Sequence, residues 1–113
     1  MDDPAREVTI DEFKKIEVRV GTVVEASRIP RTNKLYKAIV DLGAHGKKQT
    51  VTGLVDFYKA EELLHKRVIF LANLKQTTFA GEKSEGMLLA ASDGDKLSLL
   101  TIDRAVPDGS RVS

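Results

Sequence analysis

Two short apolar runs separated by a polar segment dominate the hydrophobic pattern of the chain. Residues 68–72 and 87–91 are each five consecutive apolar residues, a length typical of buried strands rather than helices. Residues 75–83 lie between them and contain one glycine, Gly81, and one large apolar residue, Phe79. Because loops on a rigid scaffold often carry binding residues, the pattern predicts two buried strands joined by a candidate binding loop.

A capping box near the N-terminus predicts a short helix. The Thr9 hydroxyl can accept a hydrogen bond from the backbone N–H of Glu12, whose carboxylate can accept one from the N–H of Thr9. Val8 and Phe13 stand at the positions of a hydrophobic staple. The helix must be short, because the hydrophobic period changes to two within a few residues.

The first strand is predicted from this change of period. Apolar residues alternate with polar ones from Ile16 to Val20, and the alternation shifts phase near Gly21, ahead of the adjacent Val23 and Val24. A glycine at a phase shift indicates a β-bulge or a sharp bend. Bends of this kind allow a small sheet to curl into a barrel.

Turn and helix signals divide the rest of the chain. The remaining predicted elements are a loop over 28–34, strands over about 35–42 and 48–52 joined by a turn over 43–46, a helix within 54–64, a last strand over 97–102 and a final β contact at Val112. The predicted fold is all-β with short helices: a five-stranded OB-fold barrel with a helix between strands three and four. Such barrels bind oligonucleotides on one face and its flanking loops.

Composition narrows the class of protein. The chain has 113 residues, 42% of them hydrophobic and 31% charged, which predicts one globular domain. It contains no cysteine, so disulfides and thiolate metal sites are excluded and a reducing, cytoplasmic location is expected. The N-terminus lacks the apolar core of a secretory signal. No apolar run has the length of a membrane span, so no association with a membrane is expected.

The positive charge is concentrated in one third of the chain. Residues 13–48 contain nine lysines and arginines against three carboxylates, whereas residues 1–12 have a net charge of −4 and the whole chain has +1. A local basic patch can bind nucleic acid even when the net charge is near zero. A solvated surface without a ligand is the alternative interpretation.

Catalytic motifs are absent from the sequence. His45 and His65 are the only histidines, and neither has a carboxylate at metal-ligand spacing. The chain contains no phosphate-binding glycine loop and no G-x-S-x-G motif. We therefore expect a binding module with no catalytic residues, no metal and no cofactor.

Six collinear blocks of the sequence resemble a known family of tRNA-binding domains. They are residues 11–21, 33–36, 40–43, 52–54, 72–75 and 84–91, with Gly81 between the last two. The family occurs in a small dimeric tRNA-binding protein, as the C-terminal domain or β subunit of methionyl-tRNA synthetases, and in the EMAP II cytokines. The resemblance extends over about residues 9–109, the expected core of a single domain spanning residues 1–113.

The resemblance implies a function and a set of partners. It implies an OB fold that commonly forms a homodimer and binds tRNA by shape, with little dependence on base sequence. The expected role is an accessory module of aminoacyl-tRNA synthesis, most like the methionyl-tRNA synthetase β-type domain. The module itself is not expected to be an enzyme, although the catalytic part of a synthetase is an expected partner.

The resemblance also implies RNA-binding residues. Asn73, Lys75, Ser84 and Met87 occupy the family's signature positions around the binding loop, and Lys34 matches a basic position of the first long loop. Lys75 is expected to pair with phosphate. Asn73 and Ser84 are expected to bond either the RNA or the backbone of the loop itself, and Met87 either contacts a nucleotide or packs in the core.

Further basic residues complete the expected interface. Arg28, Arg31, Lys37 and Lys83 can supply an electrostatic attraction to phosphate that weakens with salt. The loop departs from the family pattern, because Gln76, Thr78 and Ala80 stand where relatives commonly have a proline or basic residues, and Lys83 compensates in part. Phe79 either stacks on an exposed base or packs against the barrel.

Two other functions compete with tRNA binding. A related dimeric OB fold resembles a secretion chaperone that binds unfolded peptides, and a module used only for dimerisation is a third interpretation. Residues 50–54 and 73–75 resemble the synthetase branch more closely than the chaperone branch.

Overall fold

A computed structural model describes residues 6–113 of the chain. The acidic Asp2 and Asp3 of the N-terminal block lie outside the described residues. Helix α1, Ile10–Lys14, begins at the predicted capping box, with the Glu12 N–H 3.1 Å from the Thr9 hydroxyl and the Thr9 N–H 2.9 Å from the Glu12 carboxylate. No helix in the described part of the chain is long and apolar enough to cross a membrane.

The described residues form ten strands, two α-helices and one 3-10 turn. In chain order they are α1 (Ile10–Lys14), β1 (Val18–Arg28), β2 (Tyr36–Asp41), a 3-10 turn (Gly43–His45), β3 (Lys47–Thr52), α2 (Ala60–Leu63), β4 (Arg67–Leu71), β5 (Thr77–Phe79), β6 (Glu82–Ser84), β7 (Met87–Leu88), β8 (Ala90–Asp93), β9 (Lys96–Leu99) and β10 (Arg111–Val112).

Strand β1 organises the sheet because its two halves pair with different neighbours. Its C-terminal half pairs with β2 and its N-terminal half with β4 and β10, all antiparallel. The main sheet has the order β3-β2-β1-β4-β7, with α2 between β3 and β4 in the chain. The predicted class is confirmed: this is a nearly closed five-stranded antiparallel barrel with short helices. The predicted final contact at Val112 is also confirmed, because Val112 pairs with Val18.

The β-bulge that was one of the two predictions near Gly21 lies about three residues further along the strand. Gly21 pairs in regular register with Val68, and the irregularity lies between Val23 and Glu25. A Cβ atom at Gly21 would lie 2.5 Å from Cγ1 of Val40. The close approach of β1 to β2 therefore requires a glycine at this position.

The segment predicted as a loop contains a β-hairpin. Strands β5 and β6 pair from Thr77↔Ser84 to Phe79↔Glu82 around a two-residue turn. Sequence patterning does not reveal it, because all three residues of β5 are exposed and none alternates with a buried position.

The second apolar run, residues 87–91, is not one buried strand. Met87 and Leu88 pair with β4, whereas Ala90 and Ala91 pair with β9. Only Leu88 of the five is buried. The physical reason is a change of pairing partner at Leu89. The Leu89 N–H still donates a hydrogen bond to β4, whereas the Leu89 carbonyl accepts one from the N–H of Leu100.

The barrel closes between β3 and the segment before β7 partly through side chains. The Glu85 N–H donates to the Gln49 carbonyl (2.8 Å), and the Gln49 N–H donates to the Glu85 carboxylate (2.9 Å). The Val51 N–H donates to the hydroxyl of Ser84 (3.2 Å). Two side-chain oxygens thus act as acceptors where a regular ladder would supply carbonyls.

Packing against the core requires a glycine in the same segment. The Thr50 hydroxyl donates to the Gly86 carbonyl (2.8 Å), which draws the Gly86 backbone onto Phe70, a fully buried side chain. The main core packs around it and consists of Val23, Tyr36, Ala38, Val40, Leu42, Leu54, Leu63, Val68, Phe70, Leu88 and Leu99.

Gly86→Ala is expected to destabilise the barrel. Its Cβ would lie 2.3 Å from the Leu71 carbonyl oxygen and 2.5 Å from the Phe70 ring, an overpacking that costs about 1–3 kcal/mol. Gly53→Ala is the matched control, because its nearest neighbour would be 3.9 Å away. Urea unfolding measures both, and equal stability of the two variants would contradict the close-approach explanation.

Ser84→Ala is expected to lower the free energy of unfolding by about 1–3 kcal/mol, because it leaves the Val51 N–H without its partner inside the protein. The control is Ser92→Ala on the exposed strand β8, where we expect no measurable change. A loss of stability no greater than that of the control would show that Ser84 does not close the barrel.

Candidate nucleic-acid interface

The outer faces of β2 and β3 form a half-exposed surface. Lys37 of β2 lies directly opposite Val51 of β3, and Ile39 lies opposite Gln49. On each strand, one buried residue separates the two residues named. Directly opposed residues of an antiparallel pair point to the same face. We call these four residues the β2–β3 face, and they occupy the surface on which OB folds bind nucleic acid.

The β1–β2 loop leads into this face beside Lys37. Arg28 donates from Nη2 to the Thr32 carbonyl (3.1 Å), and the Thr32 hydroxyl donates to the Ile29 carbonyl (2.8 Å). Arg31 has a φ of 70° and an exposed side chain. The loop is thus held by internal hydrogen bonds and carries two exposed guanidinium groups, those of Arg28 and Arg31.

The β5–β6 hairpin borders the β2–β3 face at β3. The Gln49 side-chain amide donates to the Lys83 carbonyl (2.9 Å). The Lys37 ammonium lies 3.6 Å from the carboxylate of Glu82. These contacts join the hairpin to both strands of the face, so the hairpin has a defined position over the barrel.

The tip of the hairpin presents an aromatic ring. Phe79 is 48% exposed, so the ring is not packed into the barrel and the stacking interpretation agrees with its position. Ala80 and Gly81 form the turn with φ values of 52° and 82°, the two positive φ values of a type I′ turn.

The predicted RNA-binding lysines differ in whether they form an ion pair with a carboxylate. Lys34 forms an ion pair with Asp56, and both side chains are more than half exposed. Lys75 and Lys83 are exposed, and neither forms an ion pair within residues 6–113. Lys75 and Lys83 therefore have their full charge available to an anionic ligand.

Asn73 has an architectural role. Its side-chain oxygen accepts from the Glu17 N–H (2.8 Å), and its amide nitrogen donates to the Lys15 carbonyl (2.6 Å). The amide thus ties the end of β4 to the junction of α1 and β1. Hydrogen bonding by the neighbouring Arg19 guanidinium lowers the pKa of the Glu17 carboxyl below its usual value.

Ser84 and Met87 differ in their exposure to solvent. Ser84 is buried, and its hydroxyl contacts the Val51 N–H, the Thr50 hydroxyl and the Gly86 carbonyl. Of the two alternatives for Ser84, the structure favours the architectural one. The side chain of Met87 is 43% exposed, so it is not a core residue and can be reached by a ligand at β7.

Neither histidine belongs to a metal cluster. His45 lies in the 3-10 turn, and His65, with a φ of 69°, follows α2. In the part of the chain that the structure describes, no group of three or more His, Asp or Glu side chains could hold a metal ion.

The structure brings together residues that sequence reasoning did not combine. It places Lys37 beside the hairpin, but Asn73 at the α1–β1 junction and Met87 on β7, both off the β2–β3 face. Ile39, Gln49 and Val51 were missed, although the period-two alternation with buried residues is a signal for an outward face. The carboxylates Asp56 and Glu82 were also missed, because they lie 22 and 45 residues along the chain from the lysines with which they pair, and such distant pairs leave no local pattern.

Comparison with known proteins agrees with this geometry. The family model described as "Putative tRNA binding domain" matches residues 18–111. A methionine–tRNA ligase of Thermotoga maritima is 44% identical over 106 residues, which are 94% of this chain and 17% of that ligase. The chain thus spans about a sixth of the length of this relative.

Two solved structures share the fold along their whole length. A MetRS-related protein from Pyrococcus horikoshii is 42% identical with a TM-score of 0.89, covering 96% of this chain and 99% of its own. The chaperone CsaA from Bacillus anthracis is 25% identical with a TM-score of 0.86, covering 96% and 100%. Because the family model matches residues 18–111, this chain belongs to the tRNA-binding domain family.

Proposed function

We propose that this chain binds tRNA as an accessory module of aminoacyl-tRNA synthesis, most like the domain attached to methionyl-tRNA synthetases. The observation that carries the proposal is the β2–β3 face, bordered by two exposed arginines on one side and by a hairpin with Phe79 and Lys83 on the other. This is the arrangement by which OB folds bind nucleic acid, with a basic surface and a ring for stacking.

The mode of binding follows from the residue types. Lys75, Lys83 and the loop arginines would pair with phosphates, and Phe79 would stack on an unpaired base. Such contacts depend on backbone shape more than on base identity, as expected for recognition of structured RNA. Asn73 and Ser84 would contribute by holding the segments that carry these groups.

The module would act through an attached or associated ligase. The relatives are methionine–tRNA ligases about six times the length of this chain. A weak RNA-binding module joined to an enzyme raises the effective concentration of tRNA without new catalytic contacts. The absence of cysteine agrees with a role in the reducing cytoplasm.

We further propose that the chain forms a homodimer through α1. The helix buries none of its residues, and Ile10 is 67% exposed. Ile10 and Phe13 line an open groove of about 430 Å³ together with Val112 of β10. A second copy of α1 would complete a core from these apolar side chains, and a two-fold axis would make the contact isologous.

Peptide binding is the second candidate, because the CsaA chaperone superposes on 96% of this chain with a TM-score of 0.86. The exposed apolar groove beside α1 is the feature that favours it. Fluorescence anisotropy with a denatured, labelled protein fragment distinguishes the two: affinity for the fragment without affinity for tRNA would favour the chaperone.

Binding of unfractionated tRNA, measured by filter retention at several salt concentrations, is expected to weaken steeply as salt rises. Lys83→Gln is expected to reduce the slope of log K against log[salt] by about one, because one phosphate contact is lost. The control is Lys96→Gln on β9, an exposed lysine away from the hairpin. No binding at low salt, or a slope near zero, would contradict the proposed function.

Sedimentation equilibrium is expected to give a mass of twice the 12.4 kDa chain. Ile10→Asp should produce monomers, because it puts a charge into the apolar interface while an acidic residue in the first turn still suits the helix dipole. Val106→Asp, an exposed apolar position elsewhere, should remain dimeric. A monomeric wild-type chain at about 100 µM, well above the Kd of a stable dimer, would contradict this proposal.

A further inference from the structure

Two carboxylates accompany the lysines of the hairpin and its connections. Residues 75–85 contain two lysines, Lys75 and Lys83, and two glutamates, Glu82 and Glu85. Glu85 accepts the Gln49 N–H and is used in closing the barrel. Glu82 instead lies 3.6 Å from the ammonium of Lys37, on the β2–β3 face.

Glu82 is not the only residue that holds the hairpin in place. The Gln49 side-chain amide lies 3.4 Å from the Glu82 carboxylate, whereas it donates a shorter hydrogen bond of 2.9 Å to the Lys83 carbonyl. The hairpin is also attached through Glu85 and Ser84. The Glu82 carboxylate thus contacts the neutral Gln49 amide at 3.4 Å and the charged Lys37 ammonium at 3.6 Å.

Lys37 lies at the centre of the surface that a nucleic acid would cover. It is on β2, between the β1–β2 loop and the hairpin, and its side chain is 37% exposed. A phosphate approaching this ammonium meets the Glu82 carboxylate, which repels the phosphate and already pairs with the lysine. Binding must displace this internal anion before Lys37 contributes to affinity.

We propose that Glu82 limits the affinity of this chain for tRNA by competing with RNA phosphate for Lys37. The inference rests on the proposed function and identifies a residue that sets the strength of binding at the same site. The chain would then bind tRNA more weakly, and with a shallower dependence on salt, than its number of basic residues indicates. A weak module suits transfer of tRNA to an attached enzyme, because product must also be released.

A second ion pair provides an internal comparison. Lys34 pairs with Asp56, but their side chains are 68% and 52% exposed, against 37% and 35% for Lys37 and Glu82. Solvent screens the more exposed pair more strongly. Asp56→Asn should therefore change tRNA affinity less than Glu82→Gln.

The test is equilibrium binding of unfractionated tRNA to Glu82→Gln, a substitution that keeps the size of the side chain and an acceptor for the Gln49 amide. At low salt we expect about 1.5- to 5-fold tighter binding than wild type, the range that release of one exposed ion pair allows. The slope of log K against log[salt] should steepen by up to about one, since Lys37 gains a phosphate contact. Glu61→Gln, the same change of charge in α2 without an ion pair among residues 6–113, is the control.

The Lys37→Gln background shows whether Glu82 acts through Lys37. In this background, Glu82→Gln should increase tRNA affinity by no more than Glu61→Gln does, because no Lys37 ammonium remains to be released. A full gain of affinity in that background would overturn the inference, since it would reflect general repulsion. A lower melting temperature for Glu82→Gln together with weaker binding would overturn it in favour of a structural role.

The outcomes separate this inference from the proposed function. If wild type and Glu82→Gln both fail to bind tRNA at low salt, the proposed function is wrong and this inference falls with it. If wild type binds and Glu82→Gln binds no tighter than Glu61→Gln, the inference alone is wrong.

Discussion

Closure of the barrel at β3 is the interaction on which the rest of the structure depends. The sheet order leaves β3 and β7 at opposite ends, and residues 84–86 join them by side-chain and backbone hydrogen bonds. Buried N–H groups without partners are costly, so these bonds make the closed state strongly preferred. Gly86 allows the closing segment to lie against Phe70 of the core.

The same closure positions the candidate interface. The hairpin ends at Ser84, so fixing Ser84 on β3 also fixes the orientation of β5 and β6 above the outer surface of the barrel. Gln49 contributes to both, because its backbone bonds Glu85 and its side chain bonds the Lys83 carbonyl. Residues at the edge of the binding loop thus serve architecture, and the exposed side chains between them are left to contact a ligand.

The sequence predicts the elements with strong local patterns and misses those that depend on distant contacts. The capping box at Thr9, the hairpin of β2 and β3 and the helix before β4 were confirmed, because each has a local signal in its periodicity, turn residues, helix propensity or capping. The final contact at Val112 was also confirmed. The β5–β6 hairpin was missed because its strands are exposed and its turn begins with Ala80, which lacks the usual asparagine or glycine signal. The architectural role of Ser84 and the pairing of Lys37 with Glu82 depend on contacts across more than 30 residues.

The central claim is that tRNA binds on the β2–β3 face between the β1–β2 loop and the hairpin. An NMR titration of the ¹⁵N-labelled chain with tRNA tests it most directly, because every backbone amide reports separately. We predict that the largest shift changes or line broadening occur at Lys37, Ile39, Gln49 and Val51, at the β1–β2 loop and at residues 75–83. Changes confined to α1 and β10, or no changes at all at low salt, would contradict the claim.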